Sequence, residues 1–200
     1  MNVMLATGNV DKVREIAPLL AGMNVSGAPE GFDVDETGST LMQNAWLKAA
    51  ELRKSTDDDT LVIADDSGLF VHALGGRPGV FSSRYAGANA TYADNCRRLL
   101  EELDTVDDRR ACFATVLVGL GPNGTIYVAE GSCPGVITVA PRGDRGFGYD
   151  PVFQPMEDTA GRTMAQMARE EKGAISHRGR AIRRLVAMLS GTTPADTKRS

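Results

Sequence analysis

The sequence predicts an α/β fold built on a mixed sheet, and three observations carry that reading. Short apolar runs that stop at polar corners alternate with amphipathic stretches, as where residues 3–6 give way to the apolar spacing of Val13, Ile16 and Leu20. Two β patterns, residues 111–120 and 125–130, flank Gly121-Pro122-Asn123-Gly124, whose Asn-Gly pair is a hairpin signal. A βα unit and an antiparallel hairpin in one chain imply a sheet of mixed direction. The 200 residues, 42% hydrophobic and 24% charged, suffice for one domain with a sizeable core.

The first strand, residues 3–6, runs into Thr7-Gly8-Asn9-Val10-Asp11-Lys12 and then a helix that Thr7 or Asn9 would cap. The free N–H groups of such a helix start form an anion site, and Lys12 stands in the first turn, where the helix dipole disfavours a cation. Both a plain capped start and a phosphate cradle fit these residues. The glycine spacing and the Lys-Ser/Thr ending of a Walker A loop are missing. Pro18 would kink or shorten the helix. Residues 21–39 read as loop with a short strand near Val25, and Asp33, Asp35 and Glu36 cluster ahead of a helix over 41–54. Such acids serve as a solvated or capping group, or as metal ligands. Asp57-Asp58-Asp59 reads as a solvated linker.

The strand over 61–64 then meets Asp65-Asp66-Ser67-Gly68. These are turn residues, and the reading predicts that the strand stops there. Two carboxylates at a strand end equally offer a hard oxygen site for Mg²⁺, or one ligand and one general base. Alternation along a strand sends Asp65 and Asp66 to different sides. Further on, Thr91 would cap a helix over 92–103 in which Cys96 packs inward, and residues 134–139 suggest another strand. The segment 142–153 mixes glycine, aromatics and carboxylates, which suits either stacking on a flat ligand or a packed turn. Lys172, His177 and Arg178 concentrate donors just before a closing amphipathic helix that carries Ile182, Leu185, Val186 and Leu189. Residues 191–200 are polar and read as a frayed tail after a single domain over 1–190.

The net charge of −4 argues against a dedicated nucleic-acid binder. The first residues lack the pattern of a signal peptide, and no stretch has the apolar length of a membrane span. Three scattered cysteines, Cys96, Cys112 and Cys133, fit neither a disulfide framework nor a zinc site and suit a reducing cytoplasm.

Taken together, TGNVDK at 7–12, IADDSGL at 63–69, GGRPGVFSSRYAG at 75–87, GFGYDPVF at 146–153 and EEKGAISHRG at 171–179 resemble the inosine/xanthosine triphosphate pyrophosphatases, the Ham1-like family. The resemblance implies a two-lobed α/β fold around a long twisted mixed sheet, with the active site in the cleft between lobes. It implies Mg²⁺-dependent hydrolysis of ITP, dITP and XTP to the monophosphate and pyrophosphate by a homodimer that cleans the nucleotide pool. By matching position, Thr7, Asn9 and Lys12 would hold the triphosphate through side chains, and Gly8, Val10 and Asp11 mainly through backbone. Asp66 matches the proton acceptor and metal ligand, Glu36 a further Mg²⁺ ligand, and Ser67 a substrate contact, with Asp65 in support. Phe147 would stack on the base, Gly148, Tyr149 and Asp150 would form its pocket, and Lys172, His177 and Arg178 would complete its recognition. Cys133 stands where relatives often carry a bulkier aromatic. The alternative is a Maf-like pyrophosphatase acting on other modified or standard nucleotides.

Overall fold

A computed structural model describes residues 1–192. Seven strands form one sheet: β1 (Asn2–Leu5), β2 (Asn24–Gly27), β3 (Leu61–Val71), β4 (Pro78–Gly79), β5 (Arg110–Leu120), β6 (Ile126–Ile137) and β7 (Phe153–Pro155). Five helices flank it: α1 (Val10–Ile16), α2 (Leu41–Arg53), α3 (Tyr92–Glu102), α4 (Arg169–Ile175) and α5 (His177–Leu189). The strand order is β2-β1-β3-β5-β6-β7, with β4 also paired to β3. β1 runs parallel to β2 and β3, whereas β3, β5, β6 and β7 pair antiparallel, so the sheet is mixed as predicted. No helix among the described residues is long and apolar enough to cross a membrane. Of the expected tail over 191–200, residues 193–200 lie outside the described residues.

Three expectations are corrected. β3 does not stop at Asp65: it continues through Asp66, Ser67 and Gly68 to Val71, matched residue by residue with β5 from Val62↔Leu120 to Val71↔Ala111. Unbroken pairing with β5 along this run outweighs the turn preference of the side chains. Residues 126–137 likewise form one strand where two were expected. Pro134 lacks an N–H but keeps register with Cys112, and its carbonyl accepts from Met156 N at 2.9 Å. Finally, His177 and Arg178 are the first residues of α5, because Ser176 caps the helix by accepting from Gly179 N.

Alternation along β3 distributes its side chains between two cores. Leu61 and Ile63 pack with Ile16 at the end of α1, with Leu20 in the turn beyond it, and with Ile182 and Leu185 of α5. Val62 and Ala64 pack on the other face against Ala45, Ala49 and Leu52 of α2. A third cluster gathers Leu69, Val71, Phe113, Cys133 and Phe153 under Cys96, Leu99 and Leu103 around α3. Cys133 and Cys96 are therefore packing residues, and burial pushes both thiols up to about 12.

Candidate active site

β1 ends at Leu5, opposite Ile63 of β3, so Asp65 and Asp66 lie just beyond its end, beside the loop that leads into α1. In that loop Asn9 is the helix cap. Its Oδ1 accepts from Asp11 N at 2.9 Å and Lys12 N at 3.4 Å, while Thr7 Oγ1 accepts from Asn9 N at 3.1 Å. Val10 is exposed, and a Cβ on Gly8 would meet Phe32 O at 3.2 Å, which leaves little room for any other residue. Asp11 pairs with Arg14 at 3.5 Å and turns its side chain to the surface.

The two aspartates separate as strand alternation requires. Asp65, 2% exposed, faces α1 and α5. Lys12 Nζ is 3.1 Å from its Oδ1, close enough for an ion pair though not aligned for a hydrogen bond, and Arg178 donates to Oδ2 through Nε and Nη2 at 3.2 Å each. Burial alone would raise the Asp65 carboxyl, but Lys12, Arg178 and Lys48 outweigh it and hold the group well below the usual carboxylate range. Burial also lowers the Lys12 ammonium, against the pull of Asp65.

Asp66 faces α2. Its Oδ2 accepts from Asn44 Nδ2 at 3.1 Å and its Oδ1 lies 3.3 Å from Lys48 Nζ. Burial pushes this carboxyl above its ordinary value; Lys48 opposes the shift and Glu36 adds to it. Lys48 Nζ also lies 2.8 Å from Glu36 Oε1, and Arg84 Nη1 is 3.4 Å from Glu36 Oε2. The two neighbouring carboxyls therefore shift in opposite directions: cationic partners hold Asp65 low, and burial raises Asp66.

The residues that the resemblance assigns to the base, Phe147, Gly148, Tyr149, Asp150, Lys172, His177 and Arg178, line one cavity of about 130 Å³ together with Asn9, Lys12, Glu36, Asp66 and Ser67. Phe147 lies under two cations, with Lys172 Nζ 5.1 Å and Arg178 Cζ 5.5 Å from its ring centre. Its backbone N donates to Asp150 Oδ2 at 2.9 Å. Gly148 holds a positive φ of 64° in this tight turn, and its carbonyl accepts from Cys96 Sγ. Tyr149 is buried and donates its hydroxyl to Ser82 O at 2.8 Å, so it braces the pocket from behind. Ser67 Oγ donates to Thr115 Oγ1 at 2.7 Å, which donates to Asp66 O at 2.9 Å, and Ser67 Oγ accepts from Arg178 Nη2 at 3.2 Å.

Lys172 and Arg178 are not free donors awaiting a base. Lys172 is ion-paired to Asp150 and Glu15, and Arg178 Nη1 donates to the second oxygen of Glu15 at 2.6 Å. Glu15 was not singled out by the sequence reading, although it follows Lys12 by three residues and so shares its helix face. Asn44 and Lys48, four apart on α2, were missed in the same way; only the tertiary pairing of α2 with β3 reveals them. His177 stacks flat on Phe113, with centroids 4.6 Å apart and planes at 11°, and its Nδ1 is buried without a hydrogen-bond partner. Burial, then Arg178 and Lys172, push its imidazole well below the ordinary value, so it is neutral at pH 7.

Glu36 and Asp66 converge on one ammonium, which marks a point where a cation is stabilised by hard oxygens. No cluster of three or more His, Cys, Asp or Glu side chains suited to a metal occurs among the described residues. Two carboxylates suit Mg²⁺, which commonly takes one or two from the protein and its remaining ligands from phosphate and water. The donor set fits that ion. A larger open groove, about 790 Å³, runs along α3 and shares Tyr92, Phe147 and Gly148 with the cavity, but residues 7–12, Asp65 and Asp66 do not line it.

The Ham1 family model matches residues 3–188. The chain is 49% identical over 195 residues to a dITP/XTP pyrophosphatase of Shigella flexneri, covering 94% of this chain and 97% of the relative. It is 48% identical over 190 residues to one from Geobacillus kaustophilus, with 92% and 91% coverage. Among solved structures, the Ham1 protein of Staphylococcus aureus superposes with a TM-score of 0.83 at 41% identity, covering 96% of this chain and 99% of that one. A nucleoside-triphosphatase, dITP/XTP pyrophosphatase, from Mycobacterium abscessus gives 0.70 at 38% identity, with 94% and 99% coverage.

Proposed function

Because this chain belongs to the Ham1 family, we propose that it hydrolyses deaminated purine nucleoside triphosphates, ITP, dITP and XTP, to the monophosphate and pyrophosphate. The single observation that carries the chemistry is the placement of Asp65 and Asp66 on opposite faces of β3 beside residues 7–12, Asp65 against Lys12 and Arg178 and Asp66 against Asn44 and Lys48. Asp66, kept basic by burial, accepts the proton of the attacking water. Asp65 is too weak a base for that step and holds Lys12 and Arg178 in place. The triphosphate lies on residues 7–12, with Lys12 and Lys48 offsetting its charge. Mg²⁺ on Asp66 and Glu36 would stabilise charge on the phosphate oxygens.

Selectivity rests on Arg178, whose ion pairs with Asp65 and Glu15 fix its guanidinium in the cavity. Phe147 supplies the platform, and the N–H of Arg178 left over from its bonds to Asp65, Glu15 and Ser67 can only donate, so it favours an acceptor. A 6-oxo purine offers an acceptor, whereas adenine presents an amino group and leaves donors unpaired on both sides. The reading extends to a homodimer in a reducing cytoplasm; three free cysteines fit such a compartment. Light scattering gives the mass of the assembly directly.

The test is pyrophosphate release from ITP, XTP, GTP, ATP and dUTP, each with Mg²⁺ and with EDTA. Mg²⁺-dependent release confined to ITP and XTP is expected. Equal rates on GTP or dUTP would remove the selectivity argument, and undiminished rates in EDTA would remove the metal.

A further inference from the structure

Tyr92 bridges the two ends of the site without belonging to either. It is the first residue of α3, held by a capping box in which Asp94 N donates to Thr91 Oγ1 at 3.2 Å and Thr91 N donates to Asp94 Oδ2 at 2.9 Å. Buried Cys96 and Leu99 fix the helix behind it. Its backbone is therefore anchored while its side chain remains 41% exposed and lines the same cavity as Lys12, Ser67 and Arg178. On one side its hydroxyl accepts from Asn9 Nδ2 of the phosphate loop at 3.1 Å. On the other its ring centre lies 5.7 Å from that of Phe147, inclined at 43°.

A nucleotide joins its base to its phosphates through the sugar, so a wall that touches both the base platform and the phosphate loop borders the sugar. Accepting from Asn9 leaves the phenol's own proton free to donate, since a tyrosine hydroxyl does both. We propose that Tyr92 is the sugar-contacting residue of this site, its ring packing against the furanose and its O–H donating to a furanose hydroxyl. The assignment rests on the nucleotide reading given above and names a contact that reading lacks.

The test is binding, which does not depend on turnover. Affinities for a non-hydrolysable α,β-imido analogue of ITP and for inorganic tripolyphosphate are measured by calorimetry on wild type, Tyr92→Phe and Tyr92→Ala. Removing the hydroxyl should weaken the analogue about fivefold, the size of one ordinary hydrogen bond. Removing the ring as well should weaken it roughly tenfold or more. Tripolyphosphate, which has no sugar, should bind all three proteins within about twofold. Tyr92→Phe retains the ring and the helix start, so its result stands even if Tyr92→Ala folds poorly. Parallel weakening of analogue and tripolyphosphate would mean that Tyr92 acts only through Asn9, and unchanged affinity for the analogue would mean no contact; either overturns the assignment. A wild-type protein that binds the analogue but does not hydrolyse ITP overturns the proposed reaction and leaves the sugar contact to be decided by the variants. One that binds no analogue overturns both.

Discussion

Asp65 and Asp66 are adjacent and chemically identical, and the same change should expose their different roles. Asp66→Asn removes the proton acceptor while keeping the shape and the contact with Asn44, so kcat should fall by about 10²-fold or more with KM little changed. Asp65→Asn instead leaves Lys12 and Arg178 buried with less compensation, which should lower stability by about 3 kcal/mol. Because the Asp65 carboxyl is held below its ordinary 3.8 in the folded protein, its contribution is present above that pH and is lost as the pH falls further. The gap between wild type and Asp65→Asn in urea unfolding should therefore be full at neutral pH and narrow progressively as the pH is taken below 3.8. A variant at position 65 that stays fully stable but loses turnover would exchange the two roles. The type and order of these residues were legible in the sequence. Their opposite basicity was not, since it is set by Lys12, Arg178 and Lys48, which reach β3 from three separate helices.

At the scale of elements, the seam between β6 and α5 decides where His177 and Arg178 stand. A Cβ on Gly131 of β6 would lie 2.0 Å from His177 O and 2.7 Å from Ala181 N, and one on Gly179 would lie 1.9 Å from Gly173 O. All three are backbone atoms, so neither site can yield by turning a side chain. Gly131→Ala and Gly179→Ala should each cost about 1–3 kcal/mol or more, and both should raise KM by moving the start of α5. Gly173 is the internal control: its Cβ would meet only Leu19 Cδ2, at 3.5 Å, so Gly173→Ala in α4 should be neutral or stabilising by up to about 1 kcal/mol. Thermal melts and KM for ITP on the three variants check this, and equal melting temperatures would dismiss the seam. Helices α2 and α3, and the Thr91 cap of α3, could be read from local pattern because capping is a local interaction. The continuation of β3 through Asp65-Asp66-Ser67-Gly68 could not, because it depends on β5, some fifty residues away in the chain. The start of α5 was misplaced for a smaller reason: Ser176 was not recognised as its cap.

Across the whole molecule, the three buried clusters share their strands. β3 supplies Leu61 and Ile63 to the first, Val62 and Ala64 to the second, and Leu69 and Val71 to the third. β5 does the same with Leu117, Val118 and Phe113. No cluster can come apart without unpairing a strand that the others need. The ion pairs add a second tie, since Arg178 of α5 joins Glu15 of α1 to Asp65 of β3 at the centre. Residues 1–190 should therefore unfold as one cooperative unit despite their several cores. Trp46, the single tryptophan, lies exposed on α2 and reports that helix, whereas far-UV circular dichroism reports the chain as a whole. The two urea curves should coincide in midpoint and slope. If Trp46 fluorescence changes at lower urea than the dichroism, α2 is a separate unit, and Asn44 and Lys48 leave the site before the sheet unfolds. Partial unfolding of that kind would abolish turnover while most of the secondary structure survived, so activity measured across the same urea series distinguishes the two cases.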